Sequence, residues 1–311
     1  MPTIKKSVKF SGVGIHSGAP VTMVVKPSKK NGIFFRRTDL DKNLIHAKYD
    51  NVGDTKMRNT TIGDIDAAHV KTIEHFMAAM FMAGIDSAIV EIDGPETPIL
   101  DGSAIEFYNK ILAAGRTEGK IKKIIVRQPV CVTARDVFRS LPFLLRVKIW
   151  FMNLLSGRRA DGFVKLGPAE SNSLNMSATL VYREKIIGRQ IFSYTYDGTK
   201  KSIQNFVKNI ARARTFGKYS EWEYLKKHGM ARGANENNVI ALNDNGDGTL
   251  NKTFWPDEFV RHKIIDAVGD MFTSGGIIIG NFESYKGSHA MNNMVLKKLF
   301  SNPDNYDIID A

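Results

Sequence analysis

With 311 residues, 43% of them hydrophobic, the chain can bury a sizeable core and suits two domains of about 150 residues each, with the composition of an ordinary soluble globular protein. A formal charge of +12 favours an anionic partner, whether nucleic acid, a phosphorylated small molecule or an acidic membrane surface, without choosing among them. Cys131 is the single cysteine, which excludes an intramolecular disulfide and a thiolate zinc cluster. Any metal then has to be held by His and carboxylates, and a reducing cytoplasm is the simplest setting. No apolar stretch follows Lys5 and Lys6, so no signal peptide is expected.

In chain order, strand-like patterns predict β-structure at Ser7–Phe10, Val21–Lys26 and Gly32–Arg37. Gly12, Gly14 and Gly18 punctuate the turn that carries His16. That turn reads equally as a plain hairpin with an exposed imidazole and as backbone that lets a ligand approach closely. Lys71–Ala83 is rich in helix formers and stops at Gly84, with Ile73, Phe76, Met77 and Met80 as its buried stripe. Glu74 and His75 are unusual in so apolar a segment. Strand Ser87–Ile92 runs into a loop fixed by prolines and glycines, Asp93–Ser103, and a helix over Ala104–Ala114 completes a β-rich layer covered by helices. The charged stretch Gly115–Lys123 is the candidate linker between a first domain, residues 1–118, and a second, 119–311.

Further strands are predicted at Lys123–Arg127, Asn175–Val181 and Gln190–Tyr194. Between the first two lies an apolar and basic run, Val137–Leu155, interrupted by Arg139, Arg146 and Lys148. It is too short and too charged for a membrane span of about 20 apolar residues. Two readings of this insertion, about 137–156, stand side by side: peripheral membrane contact through Leu141–Leu155, and a buried or partner-covered segment. Helices are predicted over Ser202–Ala213 and Glu221–His228, and Asn243–Gly248 reads as a hairpin turn because it lacks the terminal Glu of a calcium loop. In Phe259–Asp270, helical spacing sets His262, Asp266 and Asp270 on one face, suited to a divalent metal, and Val260, Ile264, Ile265 and Val268 on the other. A solvated helix with an i, i+4 His–Asp bond has the same pattern. Strand Gly276–Phe282, the stretch Tyr285–Ala290 and a closing helix, Met291–Phe300, follow. Strands and helices in each half imply an α+β chain of two related layers.

The ionisable residues that stand out come from three segments. His75, His262 and Asp266 would make a two-His, one-carboxylate zinc site with an open fourth position for water. Glu74, next to a ligand, could take the proton of that water, and His289 could protonate a leaving amine. Asp270, one turn beyond Asp266, is placed to orient His289.

These segments resemble one known family. Gly12–Gly18, Phe35–Leu40, Thr72–His75, Asp93–Glu96 with Pro98–Ser103, Ala213–Gly217, Arg261–Asp270 and Tyr285–Asn293 are similar to the motifs of the UDP-3-O-acyl-N-acetylglucosamine deacetylases (LpxC) of lipid A biosynthesis, in the family's order along nearly the whole chain. The resemblance implies an α+β fold of two domains of similar topology, each a sheet packed against helices, with the active site between them. It implies zinc on His75, His262 and Asp266, a general base at Glu74, a leaving-group acid at His289 tuned by Asp270, an oxyanion-stabilising Thr215, and substrate contacts from Lys263 and His16. It also implies a UDP-linked acylated glucosamine as substrate rather than nucleic acid, and we expect a cytoplasmic monomer, peripheral on the inner membrane if the insertion binds lipid. Arg183–Gln190, with Ile186 and Ile187, resembles the edge of the family's acyl-chain passage. The insertion after residue 137 is an addition to the family pattern, and Asp54–Ile62 is one residue longer than usual. The competing reading is a catalytically idle, metal-containing nucleotide-sugar binder that uses the insertion for partner or membrane contact.

Overall fold

A computed structural model of the chain describes residues 1–40, 43–53, 59–143, 146 and 161–310. The first half supplies β1 (Val8–Val13), β2 (Pro20–Lys26), β3 (Gly32–Arg37), β4 (Ile45–His46), a short ribbon of β5 (Ile62–Gly63) and β6 (His69–Val70), α1 (Glu74–Ala83), β7 (Ser87–Ile92) and α2 (Ile105–Ala114). One sheet forms in the order β1-β2-β7-β3-β4. The inward residues of β2, Val21, Met23 and Val25, alternate with less buried ones, as a sheet with one packed face requires. Aromatic rings join the layers: Phe76 of α1 meets Phe35 of β3 and Phe107 of α2 edge-on, each at 5.8 Å, and Phe107 lies 5.0 Å from Phe10 of β1.

The second half contains β8 (Lys123–Val126), β9 (Val130–Thr133), α3 (Ala134–Ser140), β10 (Phe163–Gly167), β11 (Leu174–Val181), β12 (Arg189–Tyr196), α4 (Lys200–Asn209), β13 (Thr215–Lys218), α5 (Tyr219–Lys227), β14 (Val239–Leu242), α6 (Glu258–Phe272), β15 (Ile277–Tyr285), α7 (His289–Phe300) and β16 (Tyr306–Ile309). Its main sheet runs β9-β10-β15-β11-β12. In both sheets the last strand in sequence takes the centre, antiparallel to the second and parallel to the third. The fold is therefore α+β, with two domains of similar topology. The second sheet adds β8, parallel to the start of β15, and β16, antiparallel to β8.

Each central strand is preceded by one long buried helix, α1 before β7 and α6 before β15, and these two helices pack on one another. Phe81 of α1 stands edge-on to Phe272 of α6 at 5.3 Å. At Gly269 a Cβ would run into the backbone carbonyl of Glu74, so only glycine lets the two backbones come this close. α6 is buried on all sides except at Arg261 and Lys263, which rules out the solvated-helix reading of His262, Asp266 and Asp270.

Several boundaries differ from expectation for local reasons. Helix α1 starts at Glu74 rather than Lys71, because Thr72 is held at φ 60°, its carbonyl accepting from the Thr97 hydroxyl at 2.5 Å and its own hydroxyl donating to Glu96 at 2.9 Å. Helix α4 stops at Asn209, short of the expected Ala213, and α5 begins at Tyr219 rather than Glu221. Helix α7 starts at His289, not Met291, since Ser288 caps it by accepting the Met291 N–H. The parallel pair β13–β14, with only four residues in each strand, carries no readable alternation. Of the insertion, α3 is fixed by a capping box between Thr133 and Asp136, while residues 144, 145 and 147–160 lie outside the described residues, as do 54–58 of the polar segment. Among the described residues no helix is long and apolar enough to cross a membrane.

Adding a methyl at the helix crossing should force α1 and α6 apart. Gly269→Ala is expected to lower unfolding stability in urea by about 1–3 kcal/mol. Wild-type stability would show that the two backbones do not touch there.

Candidate active site

The first turn of α1 and successive turns of α6 meet at the crossing. His75 Nε2 lies 3.5 Å and His262 Nε2 3.3 Å from the same oxygen, Asp266 Oδ1. The two rings stand edge-on at 4.9 Å, and one donor atom from each of the three residues lies within 4.8 Å of the other two. On His262 the far nitrogen, Nδ1, is 3.0 Å from the Ala213 carbonyl and donates to it, which leaves the Nε2 lone pair facing the cluster. Burial pushes the His262 pKa down to about 3, so the ring is neutral.

Asp266 is divided in its bonding. Oδ2 accepts from Lys263 Nζ at 2.6 Å, whereas Oδ1 is buried with no hydrogen-bond partner. Burial opposes its charge, but the Lys263 ammonium beside it helps hold its carboxyl well below the usual range. A buried anionic oxygen without a donor is costly unless a cation completes it. Two imidazoles and this oxygen are a donor set that fits a divalent metal of borderline softness.

Beside the cluster stands a second pair. Glu74, the first residue of α1, is buried; its Oε2 accepts the Thr60 N–H at 3.0 Å, and its Oε1 lies 4.0 Å from His289 Nε2. Burial raises the Glu74 pKa, with His289 and His75 pulling against that rise. His289 opens α7, and its Nδ1 lies 2.8 Å from Asp270 Oδ2. Burial works against protonation of this imidazole, yet Asp270 and Glu74 outweigh it and push the pKa up to about 9. Asp270 also accepts from the Thr60 hydroxyl at 2.5 Å and from Asn292 Nδ2 at 2.9 Å.

Both groups open into a cleft of about 1230 Å³ between the two domains. Thr215, at the start of β13, lines it, with its N–H bonded to the Gly102 carbonyl at 3.0 Å. Lys263 lines it too, as does Lys286, which pairs at 2.8 Å with Asp161, just ahead of β10. His16 forms part of the wall. Its N–H and that of Ser17 both reach the buried Glu96 carboxylate at 3.1 Å, and a Cβ on Gly14 would collide with that carboxylate, so the turn is clamped to the loop before α2. Burial pushes the His16 pKa down. Phe216, Trp222, Leu225 and Met230 add apolar surface to the cleft, with the Phe216 ring 6.3 Å from that of His262. Of the stretch expected at an acyl passage, Arg183 and Glu184 reach the cleft, but Ile187 is buried in the core.

The structure thus brings His75, His262 and Asp266 into one cluster, sets Glu74, His289 and Asp270 beside it, and places Thr215, Lys263 and His16 on the same cleft. Sequence reasoning missed Thr60, Asn292 and the Ala213 carbonyl. Ala213 and Asn292 lie within stretches that resemble the family's motifs, but no local pattern gives their partners, and Thr60 binds Asp270 from 210 residues away.

Comparison with known proteins agrees along the chain. A family model described as UDP-3-O-acyl N-acetylglycosamine deacetylase (LpxC) matches residues 1–301. Proteins named UDP-3-O-acyl-N-acetylglucosamine deacetylase are similar over 99% of the chain: one from a Nitratiruptor species is 38% identical across 93% of its own length. Another from Histophilus somni is 34% identical across 92%, and one from Neisseria meningitidis serogroup A is 35% identical across 92%. The chain belongs to the UDP-3-O-acyl-N-acetylglucosamine deacetylase (LpxC) family.

Proposed function

We propose that this chain is a zinc-dependent amidase that removes acetate from the 2-acetamido group of a UDP-linked, 3-O-acylated glucosamine, a step of lipid A biosynthesis. The observation that carries this reading is the pairing of two different proton-transfer groups, Glu74 and His289, 4.0 Å apart beside a His–His–Asp cluster with an uncompensated oxygen. Zinc held by His75, His262 and Asp266 would supply Lewis acidity, polarising the acetamide carbonyl and bringing the pKa of a water towards 7. Glu74 takes a proton from the attacking water, whose oxygen bonds to the acetamide carbon. Thr215 donates its hydroxyl to the developing oxyanion. As the C–N bond breaks, His289, held protonated by Asp270, gives its Nε2 proton to the departing amine, and acetate and the free glucosamine amine are released.

Lys263 and His16 contact the substrate from the cleft walls, where Lys263 and the basic surface suit an anionic UDP group. The apolar lining from Phe216, Trp222 and Leu225 suits the acyl chain. The protein acts as a cytoplasmic monomer whose domains span residues 1–118 and 119–311, with peripheral inner-membrane contact through Leu141–Leu155, a segment mostly outside the described residues. A catalytically idle sugar-nucleotide binder would leave the Glu74–His289 pair without use.

Three measurements test this reading. With the zinc-loaded protein and the UDP-sugar, Glu74→Ala and His289→Ala are each expected to lower kcat by at least about 10²-fold, and near-normal turnover in both would sink the mechanism. Asp266→Ala should weaken zinc binding by at least about 10-fold in a competition titration with a chelating dye, and unchanged affinity would remove Asp266 from the ligand set. Deleting Leu141–Leu155 should reduce co-sedimentation with anionic liposomes while leaving zinc content intact; undiminished sedimentation refutes membrane contact through that segment.

A further inference from the structure

Thr60 lies in the polar stretch before β5 and is only 2% exposed. Its backbone is tied to the start of α1, since its N–H donates to Glu74 Oε2 at 3.0 Å and its carbonyl accepts the Ile73 N–H at 3.3 Å. Its side chain reaches the other domain. The hydroxyl is 2.5 Å from Asp270 Oδ1 and 3.3 Å from His289 Nδ1. A hydroxyl has one hydrogen to give, and the shorter contact to a carboxylate takes it.

The consequence falls on Asp270. With Oδ1 held by Thr60, Oδ2 is turned to His289 Nδ1 at 2.8 Å and Asn292 Nδ2 at 2.9 Å. That arrangement keeps the Nδ1 proton on the Asp270 side and aims Nε2 at the cleft, 4.0 Å from Glu74 Oε1. Replacing the hydroxyl by a methyl would leave Oδ1 buried without a donor, free to rotate Oδ2 away from the imidazole.

We propose that Thr60 is a positioning residue for deacetylation, one that sets the general base through its backbone N–H and the leaving-group acid through its hydroxyl, the latter by way of Asp270. This rests on the deacetylase reading given above. A merely structural threonine would satisfy its own hydroxyl and stabilise the fold, with no selective effect on turnover. A positioning threonine acts on kcat, because misaligning a proton donor by a fraction of an ångström raises the barrier without touching substrate affinity.

The test uses the full-length, zinc-loaded protein and four variants: Thr60→Val, Thr60→Ser, His289→Ala and the double variant Thr60→Val with His289→Ala. Val keeps the shape and the Glu74 bond, which comes from the backbone, and removes only the hydroxyl. The expected result is a kcat lowered by about 10- to 100-fold in Thr60→Val, a KM within about twofold of wild type and unchanged zinc content. Thr60→Ser should recover to within about threefold, and Thr60→Val should cost nothing more in the His289→Ala background. Should Thr60→Val fail to fold, Thr60→Ala, which puts no methyl against Asp270, takes the same measurements. A wild-type kcat in a folded hydroxyl-less variant overturns the inference, as does an equal loss with and without His289, or a Ser variant as slow as Val. If His289→Ala itself turns over normally, the deacetylase mechanism falls and this inference with it; if His289→Ala is slow and Thr60→Val is not, only the role of Thr60 falls.

Discussion

Two helices from different domains touch backbone to backbone where Gly269 passes the Glu74 carbonyl, and the rest of the site depends on that approach. A side chain at Gly269 would push α1 from α6 and separate His75 from His262 and Asp266, whose three donor atoms lie within 4.8 Å of one another. The domains have the same strand order, so each brings its long buried helix to the same position before its central strand. Packing one such helix on the other places the start of α1 beside the middle of α6. The site therefore sits on rigid elements rather than on loops, which suits a reaction that needs groups held to within a fraction of an ångström.

Electrostatic asymmetry then divides the labour among buried groups. On one side, Asp266 keeps Oδ1 open to a cation while Lys263 occupies Oδ2. On the other, the Asp270 carboxylate meets Thr60, His289 and Asn292, and its charge raises the His289 pKa. Two aspartates one helical turn apart thus meet opposite environments, and their neighbours, rather than their own chemistry, fix their tasks. Glu74 and His289, close enough to feel one another's charge, sit between these two environments.

The cleft is lined both by polar and cationic side chains and by the apolar Phe216, Trp222 and Leu225 of β13 and α5. A substrate carrying both a charged nucleotide and a hydrocarbon chain matches that mixed lining. Lys286 and Asp161, which pair just ahead of β10, lie on the wall of the same cleft.

Much of this was legible in the residues. The strand at Val21–Lys26 and the end of α1 at Gly84 follow from alternation and from a left-handed cap. Helical spacing set His262, Asp266 and Asp270 on one face, because a period of 3.6 residues is a local property. Local periodicity could not say whether that face met water or protein. The same strip is solvated on an isolated helix and buried against α1, where His262 and Asp266 meet His75. The starts of α1 and α7 escape a local reading for a related reason: Thr72 is held in its left-handed conformation by Glu96 and Thr97, and the Ser288 cap wins over the strand-like run before it. Thr60 is the clearest case of what sequence leaves undecided. A threonine in a polar stretch carries no mark of its role, and the Asp270 it binds is 210 residues away. The sequence by itself determined which side chains can share a helix face and which chemistry they can carry. Only the tertiary structure decided which faces meet, because the contact that joins them is between chain segments whose separation no local pattern encodes.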